Sequence, residues 1–220
     1  MTADWSTLWP TFQTAIWQTL VMAVVTIALG GLLGLLLGVA LFTTRAGGLL
    51  ENRAVNTVLN VLVNIVRPIP FIIFVTAIAP LTLRAMGTTI GTTAATFPLV
   101  IAATFGVSRI VEQSLVSVDP GIIEAAEAMG ASPWRIVRSV LVPEALGPLI
   151  LGYTFVFVAV VDMTAIAGAV GGGGLGDFAI TYGYHRFDWA VTWVAVAAII
   201  VLVQLAQFSG NALARKALRR

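Results

Sequence analysis

The sequence predicts an all-α, polytopic membrane protein with about five transmembrane helices, forming one membrane domain over residues 1–220. Three observations carry that prediction. The chain is 59% hydrophobic and 10% charged, whereas soluble domains carry about 25% charged residues. Its mean hydropathy is +0.98. Apolar runs of membrane-spanning length recur along it and are interrupted by a polar, amphipathic stretch, Glu124–Pro143.

Composition also narrows the chemistry. The absence of cysteine excludes disulfides, thiolate catalysis and Cys-ligated metal, and His185 is the single histidine. No nucleophile–base pair or metal-ligand set is visible, so an enzyme is not expected. A phosphate-binding loop needs a lysine directly after its glycines. Gly171–Gly174 is followed by none, and the only lysine is Lys216. An ATP-driven process would therefore need a second protein to hold the nucleotide. Met1–Leu8 lacks a basic region and carries Asp4, so no signal peptide is expected.

The elements follow in order. Span one covers about Phe12–Phe42, is free of charge and exceeds the roughly 20 residues that a bilayer requires. Gly30, Gly34 and Gly38 recur every fourth residue and form a small-residue packing stripe. Arg45–Arg53 is a charged loop. Asn56, Asn60 and Asn64 then fall on one helical face, with Arg67 beside it. That stripe suits an interfacial helix or one facing the bundle interior. Span two is placed at about Leu62–Leu81, kinked at Pro68 and Pro70, with Arg67 snorkelling toward the nearer interface. Arg84–Gly91 is a loop. Span three covers about Thr92–Glu112, where Arg109 and Glu112 are spaced to pair.

In the polar stretch, Asp119 caps a helix that Pro120 can begin. Gly130 ends that helix in a left-handed conformation. Ser132-Pro133 starts a second helix that runs through Trp134 to Pro143. Span four covers about Leu146–Ala169 and contains Asp162, a carboxylate that is costly at that depth unless it is paired or wet. Gly168–Gly176 is expected as a flexible loop. Tyr182, Tyr184, Phe187 and Trp189 mark an interface, and span five covers about Trp189–Phe208. The basic residues Arg215, Lys216, Arg219 and Arg220 close the chain.

The polar stretch carries a resemblance. Glu124-Ala125-Ala126, Gly130 and Val140-Leu141-Val142-Pro143, at this spacing, resemble the EAA loop of the membrane subunits of bacterial ABC importers. That resemblance implies a type I importer permease fold, with the segment at about 119–143 docking into a separate ATPase. The five spans, Asn64–Phe71 (NIVRPIPF), the long EAA segment and Gly168–Gly176 are similar to the permeases of methionine-uptake importers. The implied assembly is two permease copies, two ATP-binding subunits and an extracytoplasmic substrate-binding protein, surrounded by membrane lipid and without nucleic acid. ATP and Mg would be bound by the ATPase, and this chain would hold no cofactor. The implied cargo is methionine, D or L, or a related small amino acid. Glu124, Ala125, Ala126, Gly130, Trp134 and Arg135 are the expected coupling residues. Asp162, Met163 and Ile166 are the expected pathway and gate residues.

Charge placement gives an orientation. With five spans and the C-terminus in the cytoplasm, nine basic residues lie inside and only Arg84 and Arg186 outside, Arg67 uncounted. The N-terminus is then outside a bacterial inner membrane, and the Glu124–Pro143 segment faces the cytoplasm. Two other readings stay open: an ABC permease for another amino acid or small solute, and an ion-coupled secondary transporter using Asp162 and Arg67.

Overall fold

A computed structural model describes residues 4–218, and all its regular elements are helical. Helix α1 (Trp5–Thr44) has 40 residues, so at ~1.5 Å per residue it is about twice as long as the ~30 Å hydrocarbon layer. Asp4 caps it by accepting from the Ser6 N–H at 3.0 Å. Helices α2 (Arg53–Val66), α3 (Phe71–Ala77) and α4 (Ala79–Met86) follow. Helix α5 (Thr92–Val116) is the second long span.

The polar stretch forms α6 (Pro120–Ala128) and α7 (Pro133–Ile136). A π-helical turn at Val137–Leu141 joins α7 to the single turn α8 (Val142–Glu144). Helix α9 (Leu146–Ala167) is the third long span. The chain then turns through the glycine-rich segment into α10 (Gly174–Phe178) and ends in α11 (Trp189–Leu218).

The seam between α1 and α5 is built from glycine. A Cβ at Gly30 would stand 2.8 Å from the Val100 carbonyl oxygen. At Gly34 it would stand 2.5 Å from Val107 Cβ, and at Gly38 2.6 Å from the Ser108 carbonyl oxygen. The three glycines therefore line one face along which α5 approaches the α1 backbone. Lipid offers no hydrophobic drive to hold helices together, so close backbone packing supplies the attraction. Tyr153 of α9 adds a second tie, donating to the Gly31 carbonyl oxygen at 2.7 Å.

The molecule has two distinct ends. At one, Leu8 and Phe12 of α1 pack with Leu175, Phe178 and Val191, and the Gly91 N–H donates to the Gly171 carbonyl oxygen at 2.8 Å. The other end gathers the C-terminus of α1, the start of α2, the end of α5, helices α6–α8 and the end of α11. There Asn56 donates to the Leu41 carbonyl oxygen at 3.0 Å, and Leu218 fills the space beside Gly147. Arg45, Arg53, Arg109, Arg135, Arg138, Arg215 and Lys216 belong to this second end, while Arg84 and Arg186 belong to the first. Arg219 and Arg220 lie outside the described residues.

Three expectations change. Span two is not one kinked helix over Leu62–Leu81. Helices α2 and α3 meet at 105°, and the chain remains helical through α4 to Met86. Pro68 and Pro70, either side of Ile69, each remove a backbone donor, and no helix continues through that gap. Pro143 does not end the second helix of the polar stretch. The Val142 N–H donates to the Val137 carbonyl oxygen, a wider π turn that carries the chain past the proline into α9.

Gly168–Gly176 is not a loose loop either. Gly168, Gly172, Gly174 and Gly176 are buried. Gly171, Gly173 and Gly174 take positive φ values of 91°, 76° and 84°, a backbone shape that glycine adopts without steric cost. Side chains of α1 lock the segment: the Gly174 N–H donates to Gln18 Oε1 and the Leu175 N–H to Thr19 Oγ1, both at 2.8 Å.

Candidate functional site

The polar stretch folds into an elbow. Asp119 Oδ1 accepts from the Gly121 N–H at 2.8 Å and starts α6, with Pro120 in its first turn. The helix ends in a Schellman turn. The Gly130 N–H donates to the Glu127 carbonyl oxygen at 2.9 Å, and the Ala131 N–H to that of Ala126 at 3.1 Å. Gly130 has φ +76°. Ser132 is extended and Pro133 opens α7. No atom would crowd a Cβ at Gly130, so the glycine serves the backbone rather than a close contact.

The elbow has an inner and an outer face. Ala126, Ile136, Val137 and Leu141 are buried in one cluster with Val111, Leu115 and Val118 at the end of α5 and with Ala145 and Leu149 at the start of α9. The outer face carries Glu124, Ala125, Gly130, Trp134 and Arg135, all exposed. Trp134 is 68% exposed and Met129 81%. Ala126 therefore belongs to the chain's own core, while the other expected coupling residues face outward. Met129 was not legible as part of this face: inside a helical run it looks like any core methionine, and only the turn at Gly130 turns it out.

Behind the elbow, a polar network ties α2 to α5. The two terminal nitrogens of Arg109 divide between α5 and α2. Nη1 donates to Glu112 Oε2 at 2.6 Å, and Nη2 donates to Asn60 Oδ1 and Asn64 Oδ1, each at 2.8 Å. Asn60 donates in turn to Asn56 Oδ1 at 3.0 Å, and Asn56 reaches α1. The asparagine stripe thus faces Arg109. The opposite face of α2, with Val58, Val61 and Ile65, is left uncovered. The stripe itself was the sequence signal; its partner lies 45 to 49 residues away in the chain.

A groove of about 560 Å³ runs between the α2–α3 bend, α5 and α9. Phe71, Val156, Phe155 and Met163 contribute to its apolar walls, with Arg67 and Gln113 as its polar side chains. Met163 is thus at the groove, and Ile166 packs with it beside Phe71, Phe74 and Leu99. Asp162 is exposed and pairs with no cation among the described residues. On α9 it shares a side with Phe155, which is 70% exposed.

Fold and site together define a multi-pass membrane permease, with long spans around a groove and an outward elbow. Residues 30–219 match the family described as the binding-protein-dependent transport system inner membrane component. Over 203 residues the chain is 49% identical to the probable D-methionine transport system permease protein MetI of Vibrio cholerae, covering 92% of this chain and 90% of that one. It is 43% identical over 171 residues to the methionine import system permease protein MetP of Bacillus subtilis, covering 78% and 77%. A chain of the inward-facing MetNI methionine ABC transporter matches with a TM-score of 0.94 at 37% identity, covering 98% of this chain and 99% of that one. The chain belongs to the family of binding-protein-dependent inner-membrane transport components and has the type I ABC importer permease fold.

Proposed function

We propose that this chain, as a single permease domain, forms the translocation pathway of an ATP-driven importer for methionine, D or L, or a closely related amino acid. Two copies pair around the pathway, two ATP-binding subunits hold ATP and Mg, and an extracytoplasmic binding protein delivers the cargo. Hydrolysis belongs to the ATPase. The N-terminus is outside and the C-terminus cytoplasmic, an orientation favoured by the basic residues collected at the elbow end.

The single observation that carries the coupling step is the elbow's outer face. A tryptophan and a methionine left uncovered on a well-anchored helical turn suit a partner's cleft. Glu124 and Arg135 flank them with charges able to form charge-assisted hydrogen bonds. The inner face shares one packed cluster with the ends of α5 and α9. A push on the elbow is therefore delivered to both spans. Asp162 faces the pathway rather than lipid, where water or the second copy relieves its desolvation.

The test is reconstitution. The permease should co-purify with its ATPase and, with the binding protein, drive ATP-dependent accumulation of labelled methionine in proteoliposomes. Stable recovery without the ATPase, or uptake that ignores ATP, would overturn the reading. Met163 and Ile166 are assigned to an apolar gate at the two-fold axis. Replacing both with Ala should raise basal ATPase activity or let methionine leak without ATP; an unaltered basal rate and no leak would remove the gate.

A further inference from the structure

We propose that the groove between the α2–α3 bend, α5 and α9 is a subsite in the permease itself for a free amino acid, with Arg67 as its carboxylate receptor. The proposal rests on the importer reading and deepens it by giving the cargo a resting place within this chain.

Four observations converge. The groove's volume of about 560 Å³ falls within the roughly 300–1,000 Å³ of small-molecule sites. Its walls are almost wholly apolar, with Phe71, Phe155, Val156 and Met163 among them, and aromatic faces suit a flexible thioether chain. Arg67 and Gln113 are its polar side chains. Neither makes an ion pair or a side-chain hydrogen bond among the described residues. The nearby guanidinium on α5, by contrast, is held within the fold: Arg109 is taken by Glu112, Asn60 and Asn64.

The chain thus keeps one guanidinium occupied structurally and leaves the other at an apolar groove. A guanidinium presents a planar fork that matches a carboxylate in two parallel hydrogen bonds. The Gln113 amide can add a further donor. The backbone fixes the position of Arg67. It is the C-cap of α2 at the 105° turn into α3, and its N–H donates to the Val63 carbonyl oxygen at 3.0 Å. The ligand class that fits is an α-amino acid with a free carboxylate and an unbranched apolar side chain. A net-anionic lipid headgroup offers similar chemistry, and the experiment separates the two.

The permease–ATPase complex, without binding protein, is placed in nanodiscs of neutral phosphatidylcholine. Labelled L-methionine is titrated by equilibrium dialysis, with unlabelled methionine and its carboxamide, which keeps the α-amine but lacks the carboxylate, as competitors. Wild type should bind methionine and prefer it over the carboxamide by about ten- to hundredfold, the usual worth of a charged hydrogen-bonded pair. Arg67→Gln should lose that preference, and Arg67→Lys should keep part of it. Equal competition by acid and carboxamide in wild type would overturn the proposal without any variant. So would an Arg67 dependence that appears only when phosphatidylglycerol is added, which would mark a lipid site. If wild type accumulates methionine in proteoliposomes but fails this preference, the subsite falls and the importer reading stands. If methionine is not accumulated at all, the importer reading falls first.

Discussion

Gly34 and Gly130 are the same residue doing opposite work. At Gly34 the backbone is ordinary helix and the space is full, with Val107 Cβ 2.5 Å from where a methyl would go. At Gly130 the space is empty and the backbone is unusual, at φ +76°. The first glycine lets two helices touch, and the second lets one helix stop. The seam holds the bundle where lipid gives no help, so its steric margin is nil. The elbow is secured by its buried inner face and by the turn at Gly130, so the side chains of its outer face are free of any packing duty. That division separates what keeps the chain folded from what is left free to meet the proposed ATPase.

The comparison breaks most visibly at the seam. Gly34→Ala combined with Gly38→Ala should destabilise the bundle by about 2–6 kcal/mol, since each methyl meets Val107, Val111 or backbone that cannot retreat. Loss of the monodisperse peak in detergent chromatography is the expected readout; near-normal recovery would mean that α1 and α5 can part freely. The network behind the elbow comes next. Arg109→Gln leaves the Glu112 carboxylate, whose side chain is only 19% exposed, without its cation and frees the asparagines of α2. A cost of about 2–4 kcal/mol follows, measured as a lower melting temperature; Glu112→Gln in the same background should recover part of it.

Much of this was legible from composition and period. The long apolar runs gave α1, α5, α9 and α11, and cap and proline chemistry gave α6 and the turn at Gly130. Asn56, Asn60 and Asn64 announced a polar face, and Arg109 and Glu112 announced a pair. Other features were hidden for physical reasons. Pro68 and Pro70 mark a break, but the angle of 105° is set by what α2 and α3 pack against. Glycines in series look mobile until their missing side chains are seen to admit Gln18, Thr19 and Ala165 at close range. The groove joins residues from three separated stretches, and no local pattern reports that juxtaposition.

The two smallest effects on stability sharpen the comparison from the elbow side. Gly130→Ala should cost only about 1–2 kcal/mol, the penalty of placing a Cβ in a left-handed conformation, and Gly130→Asn should cost less, because its side chain tolerates that region. Trp134→Ala should shift stability by no more than about 0.5 kcal/mol, as an exposed side chain outside the core. In complex the order reverses. An aromatic that anchors a partner's cleft is worth about 2 kcal/mol or more on truncation, so Trp134→Ala should weaken recovery of the ATPase at least tenfold while melting like wild type. A Trp134→Ala permease that melts normally and retains its ATPase would show that the elbow's outer face is not where force enters. One that melts early would show that the face was part of the core after all, and the division between seam and elbow would fail.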